Sequence, residues 1–188
     1  PALLRNDLEL GIVPVGSGND VARSLGLHGR APLASLVHAL NADPRLMDVG
    51  CAEWVDPQGR QYRVLFLSSF TAGFDSAVVL RTLSGPRWLS GMPRYAWAAL
   101  AELAHLQTWR LDVTANGKHM HSGPALFASS LNTPTFGSGM PATPAARTND
   151  GLLNLLLAGE FGRLGALGML PRLLTGTHLG HSRIRTRA

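Results

Sequence analysis

The chain has 188 residues, a formal charge of +5, and a composition of 45% hydrophobic and 15% charged residues. That length can bury the core of one large or two small domains, and that composition excludes a disordered chain. A single cysteine, Cys51, excludes an internal disulfide framework and a cysteine-built zinc site, and suits a reducing, cytoplasmic setting.

In chain order, Leu8–Val15 has the apolar run of a strand and breaks at Gly16-Ser17-Gly18. Asn19 and Asp20 then open a short capped helix ending near Gly26, and a second helix is expected over roughly Leu33–Ala42. Met47–Glu53 and Tyr62–Ser69 read as strands around the turn Asp56-Pro-Gln-Gly59. Gly73-Phe-Asp-Ser starts a helical run to about Leu83, and Pro93 suits the first residue of a helix reaching Leu106. Trp109–Ala115 and Lys118–Ser122 flank Asn116-Gly117, a two-residue hairpin signal. Pro124–Leu131 and Leu152–Ala158 are further strands, separated by a connection rich in Gly, Pro, Thr and Ala. At about twenty residues that connection exceeds the usual limit of about 12–15 for structureless segments, which marks it as functional or disordered. The apolar stretch Leu152–Leu174 is interrupted by Glu160, Arg163, Pro171 and Arg172, too often for a membrane span of about 20 residues. Residue 1 is Pro, so the chain reads as cut from something longer. The pattern is an α/β segment over residues 1–45 followed by a β-rich domain with helices over 46–188.

Few residues carry chemistry on their own. The Gly16-Ser17-Gly18 turn lets backbone approach a ligand, and the helix start after it favours an anion; an ordinary strand-to-helix connection has the same appearance. No Gly-Lys-Ser/Thr follows, and the spacing is not that of a dinucleotide fingerprint. Gly137, Ser138 and Gly139 can bring backbone close to a bound group. Asn149-Asp150-Gly151 can gather a carboxylate and carbonyls around a hard cation, or simply turn the chain into a strand. His119 with His121, and His178 with His181, could each begin a metal site, without an evident third ligand. Trp88, Trp97 and Trp109 suit core or interface positions. Nearly all the positive charge is arginine, which fits anionic partners or a compositional habit of the source genome. No nucleic-acid-binding signature accompanies it.

Taken together and in order, four blocks resemble the diacylglycerol kinase catalytic-domain family, which includes bacterial lipid kinases and sphingosine kinases. They are Gly11-Ile-Val-Pro-Val-Gly-Ser-Gly-Asn-Asp-Val-Ala-Arg23, Asp48-Val-Gly50 with Phe66 to Asp75, Asn132 to Ala145, and Thr148-Asn-Asp-Gly-Leu-Leu153. Ser17 stands where the family usually has threonine, and Ser138 where it has the middle glycine of three. The resemblance spans essentially all 188 residues.

The resemblance implies transfer of the ATP γ-phosphoryl to a lipid hydroxyl, in a cleft between a nucleotide-binding α/β domain and a β-sandwich-like domain carrying the lipid pocket. It implies that Gly16, Ser17, Gly18 and Asn19 contact the nucleotide. It further implies that Asp150, with the carbonyls of Arg147 and Leu152, holds a structural Mg²⁺. The family's Gly-Gly-Asp-Gly-Thr block is expected before Pro1, and its general base, in an Asp-Gly-Glu block, beyond Ala188. The 188 residues alone are therefore expected to be inactive. The basic balance suits transient contact with an anionic membrane, with no nucleic-acid partner. An NAD-kinase-like enzyme and a non-catalytic lipid- or nucleotide-binding module are the alternatives.

Overall fold

The computed structural model describes residues 8–16, 18–86 and 88–188. Among the described residues five α-helices and seven strands follow one another: α1 (Asp20–Ser24), α2 (Pro32–Asn41), β1 (Gly50–Val55), β2 (Gln61–Phe66), β3 (Ser69–Gly73), α3 (Phe74–Ser84), α4 (Gly91–Ala104), β4 (Trp109–Ala115), β5 (Lys118–Leu131), β6 (Asn154–Gly159), α5 (Arg163–Thr175) and β7 (Ile184–Arg187). No helix among the described residues is long and apolar enough to cross a membrane. As expected, the chain is a mixed α/β fold, with β-sheets and five α-helices among the described residues.

β1 and β2 form a separate antiparallel hairpin closed by Asp56, whose carboxylate accepts the Gln58 and Arg60 amides at 2.9 Å. The main sheet is antiparallel throughout and centred on β5. The first half of β5 pairs with β4 and its second half with β3, so both share one edge; β6 and then β7 lie on the other. One face of the sheet carries α3, α4 and α5. Phe74, Val78, Ala98, Ala99, Leu103, Leu126, Ala158, Phe161 and Ala166 are buried there. Alanines at 98 and 99 let α4 approach closely, and Tyr95, Ala98, Ala99, Glu102 and Leu103 fall on one stripe at helical spacing. Glu102 pairs with Arg81 of α3. Leu131 and Leu156 are fully buried, each worth about 1.5–3 kcal/mol of transfer free energy.

Two expectations are corrected. Residues 8–15 belong to no strand, because no neighbouring strand among the described residues offers a ladder. Lys118–Ser122 and Pro124–Leu131 are one strand: Gly123, at φ 130°, and Pro124 stay in register with Leu111 and Arg110 of β4. α5 forms despite Pro171, because Ala166, Met169, Leu170 and Leu173 make an apolar stripe that packs on the core. Trp88 is a surface residue, whereas Trp97 and Trp109 do pack against the core. The hairpin at Asn116-Gly117 forms as its turn chemistry requires, with φ 51° and 71°.

Candidate functional site

The glycine turn before α1 is closed by its own asparagine. Asn19 adopts φ 56°, its Oδ1 accepts the Gly16 amide at 3.0 Å, and its Nδ2 donates to the Gly16 carbonyl at 2.6 Å. It does not cap α1 with its side chain, contrary to expectation, because that side chain is spent on the turn. Gly16, Gly18 and Asn19 therefore form one tight loop; Ser17 lies outside the described residues.

Asp20 reaches from that turn to the long connection. Its Oδ1 accepts the Gly139 amide and the Thr135 hydroxyl, both at 2.8 Å, and its Oδ2 accepts the Ser138 amide at 3.0 Å. The local cause is a run of three left-handed residues, Gly137, Ser138 and Gly139, at φ 57°, 76° and 99°. The turn they make brings the Ser138 and Gly139 amides to the same carboxylate. The bound group expected near this loop is thus a carboxylate of the chain itself. Arg23, one turn along α1, lies against Gly139: a Cβ there would sit 3.0 Å from its guanidinium. The buried Arg23 Nε has no hydrogen-bond partner among the described residues.

The connection from 132 to 151 lacks regular structure but is not a solvent loop. Asn132, Thr133, Phe136, Met140, Ala142 and Thr143 are buried. Asn132 Nδ2 donates to the carbonyls of Asp48 and Leu67, at 2.7 and 3.0 Å. At the far end, Asp48 donates its amide to the Thr148 carbonyl at 2.6 Å and accepts the Gly151 amide on Oδ2 at 2.8 Å. Asp150 turns back to accept the Leu152 amide at 3.1 Å. Arg147, Asp150 and Leu152 are all exposed, so the Asp150 carboxylate and nearby carbonyls offer hard oxygen donors of the kind Mg²⁺ takes. Among the described residues no three His, Cys, Asp or Glu side chains gather into a metal cluster. The His119–His121 pair is split by the β5 bulge, and His178 and His181 part company: His178 is buried, with Nε2 3.0 Å from the Ala142 carbonyl.

Beyond Phe136 lies an apolar crevice of about 60 Å³ between the sheet, α4 and α5. Phe127, Leu103, Met169, Leu170 and Leu173 line it, and Asp75, Tyr95 and His178 are its polar wall residues. Gly73 aims Asp75 inward: at φ 94° its missing Cβ would stand 2.5 Å from the Leu126 carbonyl oxygen. Asp75 is 3% exposed and accepts the Tyr95 hydroxyl at 2.7 Å and the Ser129 hydroxyl at 3.3 Å. Burial pushes its carboxyl above the ordinary value, against the opposing effect of these hydrogen bonds. Burial, then the charge of Asp75, holds the Tyr95 phenol well above its usual range. Burial likewise pulls His178 below the usual imidazole value, with the Ala142 and Arg172 carbonyls opposing. A wider open depression of about 580 Å³, lined by His121, Arg183 and Arg185, lies on the other face of the sheet and holds none of the expected site residues.

Sequence reasoning missed Asp20, Asp48, Asp75 and Tyr95 as site residues. Three of them stand inside the quoted blocks, where an acidic residue beside glycines was signal enough to single them out; Tyr95 had no local signal.

The chain matches the model of the YegS C-terminal NAD kinase beta sandwich-like domain over residues 68–188, and that of the diacylglycerol kinase catalytic domain over residues 2–52. It is 31% identical over 184 residues to the diacylglycerol kinase of Mycobacterium tuberculosis (strain ATCC 25618 / H37Rv), covering 98% of this chain and 58% of that protein. It is also 31% identical over 157 residues to a Pseudomonas putida protein named "Probable lipid kinase YegS-like", covering 82% of this chain and 48% of the relative. The chain thus spans about half the length of the curated relatives it matches. The fold is similar to that of a diacylglycerol kinase from Bacillus anthracis str. Sterne, with a TM-score of 0.55 and 17% identity over 95% of this chain and 56% of that one.

Proposed function

Since the chain belongs to the diacylglycerol kinase and YegS-like lipid kinase family, we propose that it carries most of the acceptor half of an enzyme moving the γ-phosphoryl of ATP to a lipid hydroxyl. The observation that carries this reading is an adjacency. Phe136, which lines the apolar crevice, stands one residue from the loop whose amides bind Asp20, and Asp20 is the next residue after the glycine turn. A nucleotide at the turn and an acyl chain in the crevice would be neighbours.

In this reading residues 1–45 belong to the nucleotide-binding domain and residues 46–188 to the acceptor domain. Gly16, Ser17, Gly18 and Asn19 hold the nucleotide phosphates through backbone amides, and Arg23 adds positive charge beside the turn. The crevice excludes water from the acceptor. Asp150, with the carbonyls of Arg147 and Leu152, holds Mg²⁺ and ties the long connection to β6. A bound Mg²⁺ would supply fixed positive charge and structural order there. The phosphate-cradling block and the general base lie outside these 188 residues, so the isolated chain binds but does not catalyse. The formal charge of +5 favours brief contact with an anionic membrane surface.

The test is labelled ATP with Mg²⁺ supplied to the full-length protein and to residues 1–188, with diacylglycerol, sphingosine or NAD as acceptor. A labelled lipid from the full-length protein alone is the expected result. Labelled NADP would favour an NAD-kinase-like enzyme, and no product with any acceptor a binding module.

A further inference from the structure

Tyr95 stands between the apolar crevice and the Gly137–Gly139 loop, in contact with Asp75, Phe136 and Gly137. Its hydroxyl donates to buried Asp75 at 2.7 Å, and Asp75 is held in turn by Ser129, which bonds Thr71 at 2.7 Å. Its ring meets Phe136 edge to face at 6.2 Å between centroids. It also abuts Gly137, where an added Cβ would stand 3.0 Å from the ring. The charge of Asp20 is among the causes of the raised Tyr95 value, which brings the phenol within electrostatic reach of the carboxylate that the loop binds.

The crevice is too small to take a chain without moving its walls. Its volume of about 60 Å³ is well below the roughly 300–1,000 Å³ of an ordinary small-molecule pocket. A longer alkyl group must push on the side chains around it. Leu170 and Leu173 stand on α5, whereas Tyr95 of α4 is tethered to the sheet through Asp75 and Ser129. Pressure on its ring passes to Phe136 and Gly137, and so to the Ser138 and Gly139 amides.

We propose that Tyr95 is a positioning residue that couples occupancy of the crevice to the loop binding Asp20, so that a lipid in the crevice firms the glycine turn. Filling the void adds contacts to Phe136, the residue before the loop, while the Asp75 tether keeps the Tyr95 ring from swinging aside. Because binding linkage is reciprocal, a nucleotide at the turn then tightens the lipid by the same factor. This rests on the lipid-kinase reading of the crevice.

The experiment follows the 188-residue chain by NMR on adding dioctanoylglycerol. In the wild type, the methyl signals of Leu103, Met169 and Leu170 shift, and amide exchange at Ser138 and Gly139 slows by roughly fivefold or more, the lower end of ordinary allosteric coupling. In Tyr95→Phe, which keeps the ring, the methyl shifts remain and the slowing drops below about twofold. A residue that merely stabilised the fold would change exchange equally with and without lipid. Methyl shifts without slowing in the wild type, or equal slowing in Tyr95→Phe, overturn the coupling and leave the lipid reading standing. No methyl shift in the wild type overturns both.

Discussion

Asp20 and Gly139, 119 residues apart in the chain, are joined by a 2.8 Å hydrogen bond from the glycine amide to the carboxylate. With the Ser138 amide and the Thr135 hydroxyl, it fastens the first turn of α1 to the long connection before β6. An acidic side chain just after a glycine turn can serve a metal, a cap or a neighbouring loop. Here it serves the loop, and it thereby sets the distance between turn and crevice.

Asp20→Ala removes a charged acceptor from two amides and a hydroxyl. The expected cost is about 2 kcal/mol in urea unfolding, with amide exchange at Ser138 and Gly139 rising far more than elsewhere. Asp20→Asn, which keeps one acceptor oxygen, loses roughly half as much. Uniform acceleration across the sheet would show that the contact merely reports global stability.

Gly73 and Gly59 both have positive φ, 94° and 81°, yet only Gly73 is crowded. A Cβ at 73 would meet the Leu126 carbonyl oxygen at 2.5 Å and the Phe127 Cα at 3.0 Å, both backbone of β5. Gly73→Ala is expected to cost about 3–5 kcal/mol from overpacking plus left-handed strain, and Gly59→Ala about 1–2 kcal/mol from strain alone. Equal costs in denaturant unfolding would remove the argument that Gly73 aims Asp75 inward.

His178 gives the stability a pH dependence of definite sign. The folded chain holds it neutral below the unfolded value of about 6.5, so the unfolded chain takes up the proton first. Its contribution is present above that value and is lost as pH falls below it toward the folded value. Asp75 works the other way: its raised folded value makes the folded chain bind the proton first, so its contribution grows as pH falls below that value. The drop in thermal midpoint between pH 7 and pH 5 is therefore expected to be smaller in His178→Gln than in the wild type. An unchanged drop would mean that His178 titrates normally.

The elements set by local chemistry were legible in the sequence. The Asn116-Gly117 hairpin, the Asp56–Gly59 turn and the helix after Gly73 all follow from turn residues and periodicity. Residues 8–15 have strand composition, but a strand needs a partner, which composition does not show. The sequence reading set no bounds for α5, where the missing amide of Pro171 is outweighed by the apolar stripe of Ala166, Met169, Leu170 and Leu173. The continuity of β5 through Gly123 and Pro124 depends on its pairing with Leu111 and Arg110 of β4. At the site, the Gly137–Gly139 loop was identifiable as one that approaches a bound group, but its partner lay more than a hundred residues away. Tyr95 was illegible for the same reason: its importance comes from Asp75 and Gly137, which only the fold brings to it.

The most direct measurement is photo-crosslinking with a diacylglycerol bearing a diazirine on one acyl chain. The account predicts labelling of α4 and α5 on the face carrying Leu103, Met169, Leu170 and Leu173, abolished by excess dioctanoylglycerol. Labelling that instead falls on the exposed leucines of α2, Leu33 and Leu40, and resists competition would contradict it.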